Sequence, residues 1–281
     1  MQSIEKNYKF RTRGFAPKLT DAEVITIEIC GEFFKLHEDT EIYKYFKQHY
    51  LHFFPNLPDR TTFVRQSANL WQAKLIIQIM ITCLSEQSSD AVQSIDTLPL
   101  PVCTYTRGGF RDKRFPTEAE FGHCAAKKMD YYGFKLGLRI ARTGMITHFP
   151  LLSARAHDLQ HLGVLIEGFS GTVPADKGFI DAYQQKLWLE IQQTQVVTPS
   201  RQNMESSSEE IKLVRKTKYW RKLIETVGSQ LTERFQITKI KVKDLWHYQN
   251  RIFRKILSHT VGVFLNMQNG NKPLQLALLT D

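Results

Sequence analysis

The stretch Val92-Gln93-Ser94-Ile95-Asp96-Thr97-Leu98-Pro99-Leu100-Pro101-Val102 sets one carboxylate inside an otherwise apolar, strand-like run that ends at prolines. A carboxylate buried without a partner is costly, and a bound cation is one of the few partners strong enough to hold it there. Asp96 therefore calls for further acids to complete a metal cage. Two stand out downstream: Asp176 in Thr172-Val173-Pro174-Ala175-Asp176-Lys177-Gly178, and Glu225 in the middle of a long helical pattern.

Around this stretch the texture is that of short strands. Tyr131 to Ile140 alternates like a strand, and Met145 to Leu152 is its hairpin partner across Arg142-Thr143-Gly144. His157-Asp158 opens a helix to Phe169, Gly171 to Ala175 is a short strand delivering Asp176, Phe179 to Ile191 is a helix, and Val196 to Pro199 is another short strand. A polar loop, Ser200 to Ser208, leads to a helix from about Glu209 to Phe235 with an apolar stripe at Leu213, Trp220, Ile224, Val227, Leu231 and Phe235. Glu225 lies one step off that stripe. The order suits an α/β sheet of mixed pairing, with hairpin strands first and crossover-connected strands later. Ligands of such sheets sit at strand ends, where Asp96 and Asp176 fall.

Residues before the sheet read as helical. A basic arm, 1 to 18, ends near Pro17; Thr20-x-x-Glu23 is a capping box for a helix to about Leu36. Asp39 or Thr40 caps a second, aromatic-rich helix, and a third runs from Arg60 through Arg65 and Trp71 to about Leu84. Two uses fit three short helices with a basic, hydroxyl-bearing start on the last: a helix-turn-helix reading DNA, or a bundle packed on the main domain. The chain closes with a basic, aromatic helix from Val242 to about Phe264 carrying Lys243, His247, Arg251, Arg254 and Lys255. The expected organisation is a basic arm (1–18), an all-α N-terminal domain (19–88), an α/β domain (89–266) and a tail (267–281).

Charge and composition narrow the function. Across 281 residues, 38 Lys and Arg stand against 28 acids, a net charge of +10, which favours a polyanionic partner such as nucleic acid. The longest apolar run, Ala73 to Leu84, is interrupted by Lys74 and Gln78 and too short to span a bilayer, and the N-terminus lacks a signal-peptide core. A soluble, intracellular protein is expected. Cys30, Cys83, Cys103 and Cys124 lie far apart without zinc-ligand spacing, and no phosphate-binding Gly-x-x-x-x-Gly-Lys-Ser/Thr sequence points to nucleotide hydrolysis.

Three converging acids can hold two Mg²⁺ ions about 3.5 to 4 Å apart, one serving the attacking and one the leaving oxygen of a phosphodiester. Each acid also has an ordinary use: Asp96 as a strand-end cap, Asp176 as a turn residue, Glu225 as the ion-pair partner of Arg221. His157 and Asp158 are auxiliary candidates, as proton carrier or outer ligand, or as a surface His beside a helix-starting Asp. Candidate DNA contacts are Arg60 and Arg65, Arg107 and Arg111 with Lys113 and Arg114 in a basic turn, Lys177, Arg221 and Lys222, and Arg251 and Lys255.

Four segments carry a family resemblance: Ile95 to Cys103; Cys124-Ala125-Ala126-Lys127-Lys128 leading into Tyr131-Tyr132-Gly133-Phe134-Lys135-Leu136; Ala175-Asp176-Lys177-Gly178-Phe179-Ile180; and Arg221 with Ile224-Glu225-Thr226 and Ser229-Gln230-Leu231. Together they resemble the DDE transposases of bacterial insertion sequences, most nearly the insertion-sequence 982 family, over about residues 20 to 265. The resemblance implies an RNase H-like mixed sheet flanked by helices, with Asp96, Asp176 and Glu225 as the catalytic and metal-binding triad. It further implies two Mg²⁺ ions per site, with Mn²⁺ able to substitute, and as partners the element's terminal inverted repeats, target DNA and a second copy of the chain at the element ends. Location at the bacterial nucleoid follows. The chain departs from the family pattern at Thr232, where relatives carry a basic residue, and at Lys218, where they carry a tyrosine that here stands one place on as Tyr219. A structure-directed nuclease on the same core and a non-catalytic DNA-binding derivative are the rival readings.

Overall fold

The computed structural model describes residues 16–112, 114–125, 128–200 and 207–279. Most of the basic arm, Lys113 of the basic turn, Ala126-Lys127 and most of the polar loop before the long helix lie outside the described residues.

Helices come first: α1 (Asp21–Phe33), α2 (Asp39–His49), α3 (Arg60–Ala68) and α4 (Trp71–Leu84). The capping box of α1 forms as the spacing requires, with Glu23 N donating to Thr20 Oγ1 (3.2 Å) and Thr20 N donating to Glu23 Oε2 (2.7 Å). At α2 the cap falls at Glu38, one residue earlier than expected, because Asp39 is drawn inward to pair with arginines. The single helix expected from Arg60 to Leu84 is two. The chain turns at Asn69 and Leu70, Leu70 enters the core, and the Ser67 carbonyl at the end of α3 accepts from Leu70 N (3.0 Å) and from the buried Lys74 ammonium (3.1 Å).

The sheet is built around β3 (Met129–Ala141), which pairs antiparallel with β1 (Gln93–Thr104) from Gln93↔Ala141 to Thr104↔Tyr131. On its other side β3 carries β2 (Glu120–Cys124), β4 (Ile146–His148) and β5 (Leu151–Ser153), so the expected hairpin partner is present but broken near Pro150. The helix expected from His157 to Phe169 shrinks to a 3-10 turn, Asp158–His161, and one α turn, α5 (Leu162–Leu165), and the chain then bends at Gly168, whose φ of 64° is in the left-handed region. β6 (Gly171–Pro174) follows, then α6 (Ala182–Gln192), and β7 (Thr194–Val197) pairs parallel with β6. α6 begins three residues later than expected, where the Asp181 side chain accepts from Gln184 N (2.9 Å). A parallel bridge, Val92↔Thr172, just ahead of β1 links the two sheets; among the described residues no ladder joins β1 to β6 beyond it, although the strands stay close, so the hydrogen bonding forks there. Pro99 and Pro101, which have no N–H to give a neighbouring strand, lie on β1 past this fork.

Both faces of the sheet are covered. Leu98, Leu100, Leu136 and Leu138 point to α7 (Ser208–Glu233) and α8 (Leu245–Gln268), meeting Ile224, Val227 and Leu231 of α7 and Tyr248, Ile252 and Ile256 of α8. Ile95 and Leu152 point the other way, into a core with Leu162, Leu165, Ile166, Val173, Ala175 and Phe179. The result is a mixed α/β sheet between helical layers, preceded by the N-terminal helices, the fold class expected.

Those helices do not close on themselves. Their core of Val24, Ile27, Ile42, Phe46, Phe63 and Leu70 is completed by Leu257 of α8. A buried ionic network crosses the same seam: Arg254 reaches Glu32 (2.7 Å) and Asp39 (2.6 Å), Lys255 reaches Glu32 (3.0 Å), and Lys74 reaches Glu28 (2.6 Å). Charges out of water need such partners, so each cation here is committed. The expectation that Lys255 and Arg251 contact DNA is thereby corrected. Lys255 is 1% exposed, and Arg251 is spent on Glu38 (2.8 Å) and Asp39 (2.9 Å). No helix among the described residues is long and apolar enough to cross a membrane.

Candidate active site at the sheet fork

The fork fixes two of the three acids. Counting four residues from the Val92↔Thr172 bridge along each parallel strand reaches Asp96 on one prong and Asp176 on the other. At about 3.3 Å per residue they advance together, and an even step returns each side chain to the same face. Packing agrees: Val173 and Ala175 are buried in the core opposite α7, which turns Thr172 and Asp176 towards it, and Asp96 shares its face with Leu98 and Leu100. Asp176 keeps an extended backbone (φ −80°, ψ 171°) as the cap of a 3-10 turn, Lys177–Phe179, just beyond β6.

Glu225 arrives from above. α7 lies across β1 and β6 because Ile224, Val227 and Leu231 are buried against the sheet, and Glu225 follows Ile224 on the exposed flank. One turn earlier Arg221 places Nη1 3.2 Å from Asp176 Oδ1 and 3.7 Å from Glu225 Oε1, between one prong and the crossing helix. Asp96 is the enclosed member. Its Oδ1 accepts from Thr97 N (2.7 Å), while burial, opposed by that hydrogen bond and reinforced by the charges of Asp158, Asp176 and Glu225, pushes its carboxyl up to about 7. The charges of the neighbouring acids thus reach Asp96, which has no cationic partner of its own among the described residues, while Asp176 and Glu225 share the guanidinium of Arg221.

All the donors at the fork are oxygens, which suits a hard divalent cation such as Mg²⁺, an ion that retains several waters and requires few protein ligands. Among the described residues no group of three or more acids, histidines or cysteines is close enough to enclose an ion as it stands. The fit is therefore one of donor chemistry and placement.

The basic candidates fall into separate places. Lys177 and Lys222 are exposed beside the acids, and Arg221 is partly buried between two of them. Arg60 and Arg65 are exposed on α3, and Arg107 and Arg111 are exposed beyond the far end of β1, where Arg111 donates to Thr106 O (3.0 Å). Thr232, at the position where the family pattern has a basic residue, donates its hydroxyl to Gly228 O (2.7 Å) on its own helix. His157 is exposed, while Asp158 turns inward to Thr97 and Lys135. Sequence reasoning missed Lys135; the available signal was a cation, one of two with Arg139, inside the alternating run Tyr131 to Ile140.

A mixed, forked sheet between helices, with acids on both prongs and a third on the crossing helix, defines an RNase H-like domain. The family is equally plain: the family model described as Transposase DDE domain matches residues 86–244, more than half of the chain, and the chain belongs to that family. No match was found among curated proteins or among solved structures.

Proposed function

We propose that this member of the transposase DDE family is an insertion-sequence transposase that binds the terminal inverted repeats of its element, cleaves at their ends and joins the freed 3′-hydroxyl to target DNA. The reading rests on the sheet fork, which brings Asp96 and Asp176 abreast under Glu225. The resemblance to the insertion-sequence 982 family supports it. Two Mg²⁺ ions, or Mn²⁺ in their place, held by these three carboxylates, would supply charge to the attacking and leaving oxygens of the phosphodiester. The residues of the chain do the rest. Asp96, enclosed and readily protonated, anchors the floor of the site; Asp176 and Glu225, both exposed, face the DNA. Lys177, Arg221 and Lys222 offer cations to the scissile and flanking phosphates, while Arg60, Arg65, Arg107 and Arg111 extend the basic track along the duplex. One set of acids serves hydrolysis and strand transfer in turn. A second copy of the chain at the paired element ends and a place at the bacterial nucleoid belong to the same proposal.

The test is a binding, cleavage and joining assay on the DNA flanking the gene, with Mg²⁺ present or chelated, for the wild type and for Asp96→Asn, Asp176→Asn and Glu225→Gln. The expected result is loss of cleavage with end binding kept within a few fold. Cleavage without joined donor and target DNA would mark a nuclease, and end binding without any metal-dependent cutting a non-catalytic derivative.

A further inference from the structure

The sheet face opposite α7 also delivers a carboxylate to the fork. Residue 137, paired with Thr97 across the β1–β3 ladder, is glycine, and a Cβ there would sit 2.6 Å from Leu165 and 2.9 Å from Leu152. This lets the segment carrying Asp158 and α5 settle directly on the strands. Thr97, next to Asp96 in the chain, points its hydroxyl to this side and donates to Asp158 Oδ1 (2.7 Å). Lys135, on the neighbouring strand and 9% exposed, donates to the same Oδ1 (3.0 Å) and to Ala156 O (2.8 Å). One oxygen of Asp158 is thus pinned twice. The other, Oδ2, accepts no hydrogen bond among the described residues and lies 3.7 Å from where a Cβ on Gly178 would be, beside the turn that Asp176 caps.

We propose that Asp158 is a fourth acidic residue of the active site, its free oxygen directed at a divalent cation or that cation's water, and that Lys135 is the residue that positions it. This rests on the reading of Asp96, Asp176 and Glu225 as the metal-binding acids and adds the side from which a fourth oxygen reaches them. A carboxylate with one oxygen saturated and the other open is oriented before any ligand arrives, which lowers the ordering needed on binding. A lysine buried in a strand has little other reason to be there. Its stem fills the sheet face, and its ammonium finds the two acceptors that such burial requires. Residues that orient ligands change metal affinity by about ten- to a hundredfold when replaced.

The experiment is calorimetric titration of Mn²⁺ into the full chain, with thermal unfolding followed alongside, for the wild type, Asp158→Asn, Lys135→Met and Asp96→Asn. Asp158→Asn retains the shape and an acceptor for both donors, and is expected to weaken Mn²⁺ by about tenfold or more at a melting temperature near that of the wild type. Lys135→Met supplies the sign. If Asp158 acts only through its charge, removing the neighbouring cation tightens Mn²⁺ binding; if Lys135 positions Asp158, the same change weakens it. Weaker binding in both variants is the expected outcome. Wild-type affinity in Asp158→Asn, or unchanged or tighter binding in Lys135→Met, overturns the proposal. Asp96→Asn separates the two readings: if it abolishes binding while Asp158→Asn does nothing, only the fourth acid fails, and if it too leaves binding intact, the three-acid site fails with it.

Discussion

Arg221 and Asp176, 45 residues apart in the chain, stand 3.2 Å apart at the mouth of the site, and the same guanidinium nitrogen lies 3.7 Å from Glu225. A divalent ion entering between these acids meets a resident positive charge. Arg221→Gln is therefore expected to tighten Mn²⁺ binding severalfold in the absence of DNA while lowering affinity for the DNA ends. Calorimetry and gel shift report the two effects separately, and equal Mn²⁺ affinity in the two proteins would show that the arginine does not compete.

Asp96 would give the proposed metal site a pH dependence. Its carboxyl is held up to about 7, first by burial and then by the neighbouring acids, so the folded protein favours the protonated form. The stability this contributes is fully present below the ordinary carboxylate range, near pH 4, and is lost as pH rises through about 7. A cation reverses the balance by favouring the ionised form. Mn²⁺ affinity should climb with pH up to about 7 and level above it, with proton release visible as a dependence of the binding heat on buffer. A flat profile would contradict the enclosed position of Asp96.

His259 sets a different window. It is fully buried on α8, with Nε2 3.0 Å from Gln230 Oε1 on α7, and burial pushes its imidazole down to about 3. A histidine kept neutral in the fold stabilises above its ordinary range and loses that contribution as pH falls from about 6.5 toward 3. Urea unfolding at pH 7.5 and pH 5 should show the wild type losing stability on acidification and His259→Gln losing less. Asp39, held down to about 2 despite its burial by Arg254 and Arg251, adds its loss only below pH 4.

The seam between the N-terminal helices and α8 predicts how its cations behave under substitution. Lys255→Met leaves Glu32 short of a partner in a dry environment, and Arg254→Met takes a cation from Glu32 and Asp39 at once, leaving them Lys255 and Arg251. Each is expected to cost about 3 to 5 kcal/mol in chemical denaturation. The Lys255 variant, where folded, should keep the salt dependence of DNA binding unchanged.

Exposed arginines should show the opposite behaviour. Replacing Arg60 and Arg65 with glutamine is expected to leave stability within about 0.5 kcal/mol each. The slope of log affinity against log salt should fall by about 0.9 for each phosphate that the variant no longer neutralises. An unaltered slope would place the DNA elsewhere than along α3.

Much of the α/β half could be read from spacing, because strand alternation and a long apolar helical stripe are local signals. β1, β3 and α7 lie where the pattern put them, and all three acids fall beside one fork. The misses come from partners far off in sequence. Nothing near Lys255 shows that Glu32, over 200 positions earlier, will take its charge, so a buried cation read as a basic surface. At the break by Asn69, the Ser67 carbonyl takes a second donor, Lys74, from within the core, which the local sequence does not announce. β2 carries Gly122 and His123 in a five-residue run too short to announce itself, and exists because β3 offers it an edge.

α8 is shared property: its Tyr248, Ile252 and Ile256 wall the five-stranded sheet, and its Leu257 plugs the N-terminal helices. The two halves consequently cannot be dissected by cutting the chain between them. A fragment ending before residue 245 would lose the keystone of both, and the first 88 residues expressed alone would bare an apolar seam and leave Glu28, Glu32 and Asp39 without Arg254 and Lys255.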